Sequence, residues 1–276
     1  MKNIKTAKWL KENINSEGII ILDSRSELGN SEYGLDEYKK GHIPRAIFVS
    51  VEDVLTGDVN IHGGRHPLPN MDQFITNMEE LGVDDSSTVI VYDDGDLAMA
   101  GRLWWMLKYI GKQQVYLLQG GFNQWKSLGY GFETKDHALK AKGNLSKNLQ
   151  DDLIVTIEEV KEKLYREDTI VVDSRTPDRF RGEIEPIDKI PGHIPNSKNY
   201  PWTILTQENS TRDITFLKDH FKGLDKYEDI IVHCGSGITG TVNCMFMEEI
   251  GLKPRLYVGG YSDWISYDDN EIVIEV

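Results

Sequence analysis

The sequence predicts an α/β protein of two tandem domains, each a parallel sheet with helices on both faces. Three observations carry this. Four short signatures occur twice in the same order, β-rich runs alternate with helical patterns inside each copy, and a polar stretch separates the copies.

Asp23-Ser24-Arg25 follows the apolar run 19–22, and Asp173-Ser174-Arg175 follows the run 170–172. Gly41-His42-Ile43-Pro44 returns as Gly192-His193-Ile194-Pro195, and Val89-Ile90-Val91-Tyr92 returns as Ile230-Ile231-Val232-His233. Gly120-Gly121-Phe122-Asn123-Gln124-Trp125 returns as Gly259-Gly260-Tyr261-Ser262-Asp263-Trp264. Each copy exceeds 100 residues, too long for a solenoid repeat and right for a domain. The expected division is a first domain over 1–135, a linker over 136–152 rich in Lys, Asn, Asp and Ala, and a second domain over 153–276.

In the first copy, Met71, Phe74, Ile75, Met78 and Leu81 recur at helical spacing after Asn70, an N-cap residue. Gly82 closes that helix, and 89–92 follows as a buried strand. The second copy opens on the capping box Thr156-Ile157-Glu158-Glu159. Its strand 230–232 runs into a Gly-rich turn and a helix over 239–250, with Gly251 just past the end. Sites in open α/β sheets sit at such carboxyl ends of strands.

The 276 residues carry 31 Lys+Arg against 45 Asp+Glu, a net charge of −14. A phosphate backbone rewards a basic face, so this balance argues against nucleic acid. The apolar runs reach strand length only, short of the roughly 18 residues that span a bilayer. Residues 1–18 hold no apolar signal core, so the expected location is cytoplasmic. Two cysteines, Cys234 and Cys244, make neither a disulfide framework nor a Cys-based zinc site.

Duplication supplies an internal control: features in both halves serve the fold, and features in one half are candidates for function. By this test Asp23 and Asp173, Arg25 and Arg175, His42 and His193, and the Gly-Gly turns are structural. The asymmetry lies after the repeated strand. The second copy reads His233-Cys234-Gly235-Ser236-Gly237-Ile238-Thr239-Gly240, whereas the first reads Tyr92-Asp93-Asp94-Gly95-Asp96-Leu97-Ala98, so Cys234 corresponds to Asp93. A thiol at a strand end, before two glycines and a helix start, sits where backbone N–H groups converge, a setting that favours the thiolate. Cys244 lies mid-helix beside Met245, Phe246 and Met247 and reads as core.

Tandem domains marked Asp-Ser-Arg, Gly-His-Ile-Pro and Gly-Gly-x-x-x-Trp, with one Cys loop in the second, resemble the rhodanese family of sulfurtransferases over nearly the whole chain. The loop Cys234-Gly235-Ser236-Gly237-Ile238-Thr239 is similar to the form typical of 3-mercaptopyruvate sulfurtransferases; thiosulfate enzymes usually carry Arg and Lys in its second and third positions. The resemblance implies double displacement: Cys234 takes a sulfane sulfur from a small anionic donor as a persulfide and passes it to cyanide, a thiol or a thioredoxin-like acceptor. No metal or organic cofactor is implied. Gly235, Ser236, Gly237, Ile238 and Thr239 would bind the donor sulfur, through loop N–H groups and the two hydroxyls. Arg179 matches the family's substrate-binding arginine, and its counterpart in the first copy is Gly29. Arg181 adds a second positive charge for an anionic donor. Mercaptopyruvate enzymes commonly place an arginine after the Glu-Pro of this segment. Here Glu185-Pro186 leads to Ile187, with Lys189 two positions on. Gly64-Arg65-His66-Pro67-Leu68-Pro69 resembles the segment that supplies a proton-transfer histidine, His66, which Glu52 or Asp53 would orient. Trp202 fits an aromatic wall of the pocket.

Two rivals are weaker. A cysteine phosphatase needs Cys-x5-Arg, and six residues after Cys234 stands Gly240. A non-catalytic binding or regulatory module describes the first copy, whose loop carries Asp93, but not a chain with an intact Cys234 loop.

Overall fold

The computed structural model describes residues 1–137, 141–207 and 210–275. Residues 138–140 of the expected linker lie outside the described residues. The chain divides into two compact units: Met1–Gly57, Leu68–Gln150 and Thr206–Thr211 form the first, and Asp58–Pro67, Asp151–Leu205 and Arg212–Val276 the second.

The first unit runs β1 (Ile4–Lys5), α1 (Ala7–Asn13), β2 (Ile19–Asp23), α2 (Tyr33–Lys40), β3 (Ala46–Phe48), α3 (Val51–Val54), α4 (Met71–Glu80), β4 (Thr88–Tyr92), α5 (Ala98–Tyr109), β5 (Val115–Leu118) and α6 (Gly121–Ser127). Its strands form one parallel sheet in the order β1-β5-β4-β2-β3, flanked by helices. Burial on both faces explains why β2 and β4 are nearly continuous apolar runs. Asn70 caps α4, its Oδ1 accepting from the amides of Asp72 and Gln73 at 2.9 and 3.1 Å. Phe74, Ile75 and Met78 are the buried face of that helix, as the spacing predicts.

The second unit contains α7 (Ile157–Lys163), β6 (Thr169–Asp173), α8 (Pro177–Arg181), β7 (Lys198–Asn199), α9 (Ile214–His220), β10 (Asp229–His233), α10 (Gly240–Glu249), β11 (Pro254–Leu256) and α11 (Gly260–Trp264); the antiparallel pair β8 (Thr206–Gln207) and β9 (Ser210–Thr211) belongs to the first unit. Its parallel sheet has the order β11-β10-β6-β7. The capping box starts α7: Thr156 Oγ1 accepts from the Glu159 amide at 3.3 Å, and Glu159 Oε2 accepts from the Thr156 amide at 3.0 Å. Among the described residues no helix is long and apolar enough to cross a membrane.

The repeated signatures meet in one knot in each unit. Arg25 lies buried at the end of β2, its Nε and Nη2 donating to Asp23 at 2.7–3.1 Å and Nη2 also to the Gly41 carbonyl at 2.8 Å. Its guanidinium lies over the Phe122 ring, 4.4 Å from the centroid, and Tyr92 donates its hydroxyl to Asp23 at 2.7 Å. The second unit repeats this with Arg175, Asp173, the Gly192 carbonyl and the Tyr261 ring at 3.9 Å. His42 and His193 each hydrogen bond through Nδ1 to a helix carbonyl, of Tyr38 and Phe180 respectively, and stack on that residue's ring at 3.8 Å. Four signatures recur because they are parts of one buried charge assembly. Asp23→Ala strands the Arg25 guanidinium in the core, so urea denaturation is expected to show a loss of ~3–5 kcal/mol in the first unit; a loss below about 1 kcal/mol contradicts the assignment.

Candidate active site

Strand β10 delivers Cys234 at its carboxyl end, and the residue is 2 % exposed. The loop from Gly235 to Thr239 then enters α10, with Thr239 at the N-cap position. Two bonds from the Gly-Gly turn fix the loop's start: the amides of Tyr261 and Ser262 donate to the carbonyls of Cys234 and Gly235, both at 2.8 Å.

Beside Gly235 sits a group of three charged side chains. A Cβ built on Gly235 would lie 2.9 Å from Arg65 Nη2, 3.4 Å from Arg179 Nη2 and 3.5 Å from Asp188 Oδ2, so the absent side chain gives these groups room beside the cysteine. Arg179 comes from the short helix α8. Its Nε donates to both oxygens of Glu185 at 3.0 Å, and its Nη2 donates to Asp188 Oδ2 at 2.8 Å. Asp188 Oδ1 accepts from Arg65 Nη1.

Glu185 is the keystone. Its buried carboxylate also accepts from Arg175 Nη1 at 3.2 Å and from the amides of Ile187 and Asp188 at 3.1 and 3.0 Å. The structural arginine of the knot thereby becomes the base of the site. In the first unit the equivalent Arg25 Nη1 is buried without a hydrogen-bond partner. Burial pushes the Arg65 guanidinium below its ordinary pKa, and the neighbouring Cys234 charge opposes that shift.

Arg65 and His66 lie on the segment Asp58–Pro67, which belongs to the second unit. The second Gly-Gly turn holds it. Gly63 N donates to Asp263 Oδ1 at 2.6 Å, Arg65 N donates to Ser262 Oγ at 3.2 Å, and Tyr257 braces the other Asp263 oxygen at 2.6 Å. Gly64 adopts φ +80°, and a Cβ there would lie 2.4 Å from the Gly259 carbonyl oxygen. His66 Nδ1 and Ser236 Oγ share a hydrogen bond of 2.7 Å.

The structure therefore brings Cys234, Gly235, Ser236, Arg179 and His66 together, with Gly237, Ile238 and Thr239 completing the loop. It does not bring Arg181, whose exposed guanidinium bonds Glu183 at 2.8 and 2.9 Å. Glu52 and Asp53 lie on α3 of the first unit, and Trp202 is half-buried in a 3-10 turn. Sequence reasoning missed Arg65, Asp188 and Glu185. The available signal was a further asymmetry: Ser262-Asp263, which hold the Arg65 segment, replace Asn123-Gln124.

In the first unit Asp93 occupies the corresponding strand end. Its carboxylate accepts from the amides of Gly95, Leu97 and Ala100 at 2.9, 3.2 and 3.1 Å. The loop there closes around a carboxyl group of its own. The two backbones differ, since Leu97 is left-handed at φ 71° in the first loop and Gly237 at φ 76° in the second.

Residues 6–128 and 156–267 each match the rhodanese-like domain. A probable 3-mercaptopyruvate sulfurtransferase of Pseudomonas aeruginosa is 33% identical over 272 residues, covering 95% of this chain and 94% of the relative. A putative thiosulfate sulfurtransferase, SseB, of Mycobacterium tuberculosis is 33% identical over 255 residues, covering 90% and 88%. The crystal structure of SseA from Escherichia coli, a 3-mercaptopyruvate sulfotransferase, superposes with a TM-score of 0.84 at 31% identity, covering 95% of this chain and all of that one.

The enclosed carboxylate of the first loop makes a pH prediction. Burial and the nearby Asp96 charge push the Asp93 carboxyl up to about 7, outweighing its three N–H bonds. A carboxyl raised above its unfolded value of about 4 contributes stability at low pH that is lost as pH rises through its folded value. Thermal midpoints measured from pH 5 to 8 are expected to show this decline in the wild type and a flatter profile in Asp93→Asn; an unchanged profile contradicts it.

Proposed function

Because the chain belongs to the rhodanese-like domain family in both of its halves, we propose that it is a sulfurtransferase that moves a sulfane sulfur from 3-mercaptopyruvate or thiosulfate through a persulfide on Cys234. The observation that carries the reading is the contrast between the two loops: one folds its amides around its own Asp93 carboxyl group, and the other holds Cys234 next to Gly235, over which two guanidiniums lie.

With thiosulfate, the Cys234 thiolate attacks the outer sulfur, the S–S bond breaks, and sulfite leaves with the electron pair. With 3-mercaptopyruvate, the thiolate attacks the thiol sulfur, the C–S bond breaks, and the enolate of pyruvate takes up the proton that the thiol loses. Either route leaves an anionic persulfide, which the loop amides and guanidiniums stabilise. An acceptor then attacks the terminal sulfur and regenerates the thiolate. Cyanide leaves as thiocyanate, and a thiol, free or on a thioredoxin-like protein, leaves as a persulfide. No step calls for a metal or an organic cofactor.

The hydrogen-bonded pair of His66 and Ser236 supplies the proton path. Arg179, with Arg65, attracts the anionic donor. The two cysteines and the acidic balance of −14 suit a reducing cytoplasmic compartment.

Intact-protein mass spectrometry after incubation with either donor is expected to show a cyanolysable one-sulfur adduct on the wild type and none on Cys234→Ser; an adduct on Cys234→Ser overturns the assignment. The His66 role separates the donors. Only the mercaptopyruvate route protonates carbon, so His66→Ala is expected to lower kcat with that donor by roughly 10²-fold and to leave the thiosulfate rate within about threefold. Equal losses with both donors contradict a proton-transfer role.

A further inference from the structure

We propose that Asp188 is the specificity-determining residue of this site: its carboxylate, seated on the guanidiniums of Arg65 and Arg179 beside Gly235, is a built-in competitor for the anionic group of the donor. This rests on the sulfurtransferase reading above and names what limits its substrate.

The Asp188 side chain is 1% exposed, and both of its oxygens are engaged, Oδ1 by Arg65 and Oδ2 by Arg179. That is the bridging geometry in which a pair of arginines would hold a substrate carboxylate. Local charge is balanced as well, since Arg65 and Arg179 face Glu185 and Asp188. An anionic donor therefore meets guanidiniums that are already neutralised. It gains their full attraction only by displacing a carboxylate.

The two carboxylates are not equally replaceable. Glu185 bonds two arginines and two backbone amides, so its removal dismantles the loop. Asp188 bonds only guanidiniums through its side chain. It also lines a cavity of about 490 Å³ together with Arg65, Ile187 and Lys189, so the carboxylate has space to leave and an ammonium in the same wall. Arg65 Nε is buried without a hydrogen-bond partner, a donor still open to a ligand.

The test is pyruvate binding by titration calorimetry, since pyruvate carries the donor's carboxylate and keto group but no sulfur. Asp188→Asn removes the charge and keeps the shape, and is expected to bind pyruvate at least about tenfold more tightly than the wild type. Asp188→Glu keeps the charge and is expected to remain near the wild-type affinity. In steady-state kinetics with 3-mercaptopyruvate Asp188→Asn is likewise expected to lower KM about tenfold, with kcat changing by less than about threefold. Should Asp188→Asn fail to fold, Asp188→Ser makes the same charge change and carries the same expectation. Pyruvate binding no tighter in a folded neutral variant than in the wild type overturns the proposal. The persulfide measurement keeps the two readings apart. An adduct on Cys234 without tighter pyruvate binding removes the role of Asp188 alone, whereas tighter binding with no adduct leaves that role and removes sulfur transfer.

Discussion

Everything in this protein is built around an aspartate and an arginine two residues apart, buried together at the end of a strand. Neither charge is tolerable in a core alone, and the pair persists because its other hydrogen-bonding directions, Arg25 Nη1 excepted, are met by other parts of the same unit. In the first unit that means the Gly41 carbonyl, the face of Phe122 and the hydroxyl of Tyr92. The assembly ties the strand end, the Gly-His-Ile-Pro turn and the Gly-Gly turn into one frame. It fixes the place where the neighbouring strand ends, which is where the loop of interest begins.

One frame supports two outcomes. In the first unit the loop is closed on itself, with the Asp93 carboxylate filling the amide cradle and one nitrogen of Arg25 left without a partner. In the second unit the corresponding nitrogen of Arg175 reaches Glu185, and a relay of alternating charges runs outward from it through Arg179 and Asp188 to Arg65. A structural pair has become the root of a reactive site. An acidic chain that handles anions needs cationic groups only at this spot, and the relay brings two guanidiniums to Gly235, each already paired with a carboxylate.

The frame was legible in the sequence because its parts repeat, and each repeated residue keeps its contacts within the frame in both units, Arg175 adding a bond to Glu185. Cys234 was legible for the opposite reason, being the break in the repetition at Asp93. Arg179 followed from its missing counterpart, Gly29. Arg181 was grouped with it by adjacency, but two residues along a helix turn the side chain by about 200°, and it bonds Glu183 on the exposed side. Arg65, Glu185 and Asp188 were out of reach because their roles depend on contacts across more than a hundred residues, or on a carboxylate folding back onto its own loop. The trace of a contact of the first kind is the Ser262-Asp263 departure from Asn123-Gln124, which marks the holding residues but does not point to Arg65 itself.

The most direct test is a crystal structure of the protein loaded with thiosulfate and freed of excess donor. The account predicts an additional sulfur bonded to Cys234 Sγ, lying within the Gly235–Thr239 loop and facing its amides, with Arg65 and Arg179 nearby. An additional sulfur on Cys244, or an unmodified Cys234 in a protein that turns over the donor, would contradict it.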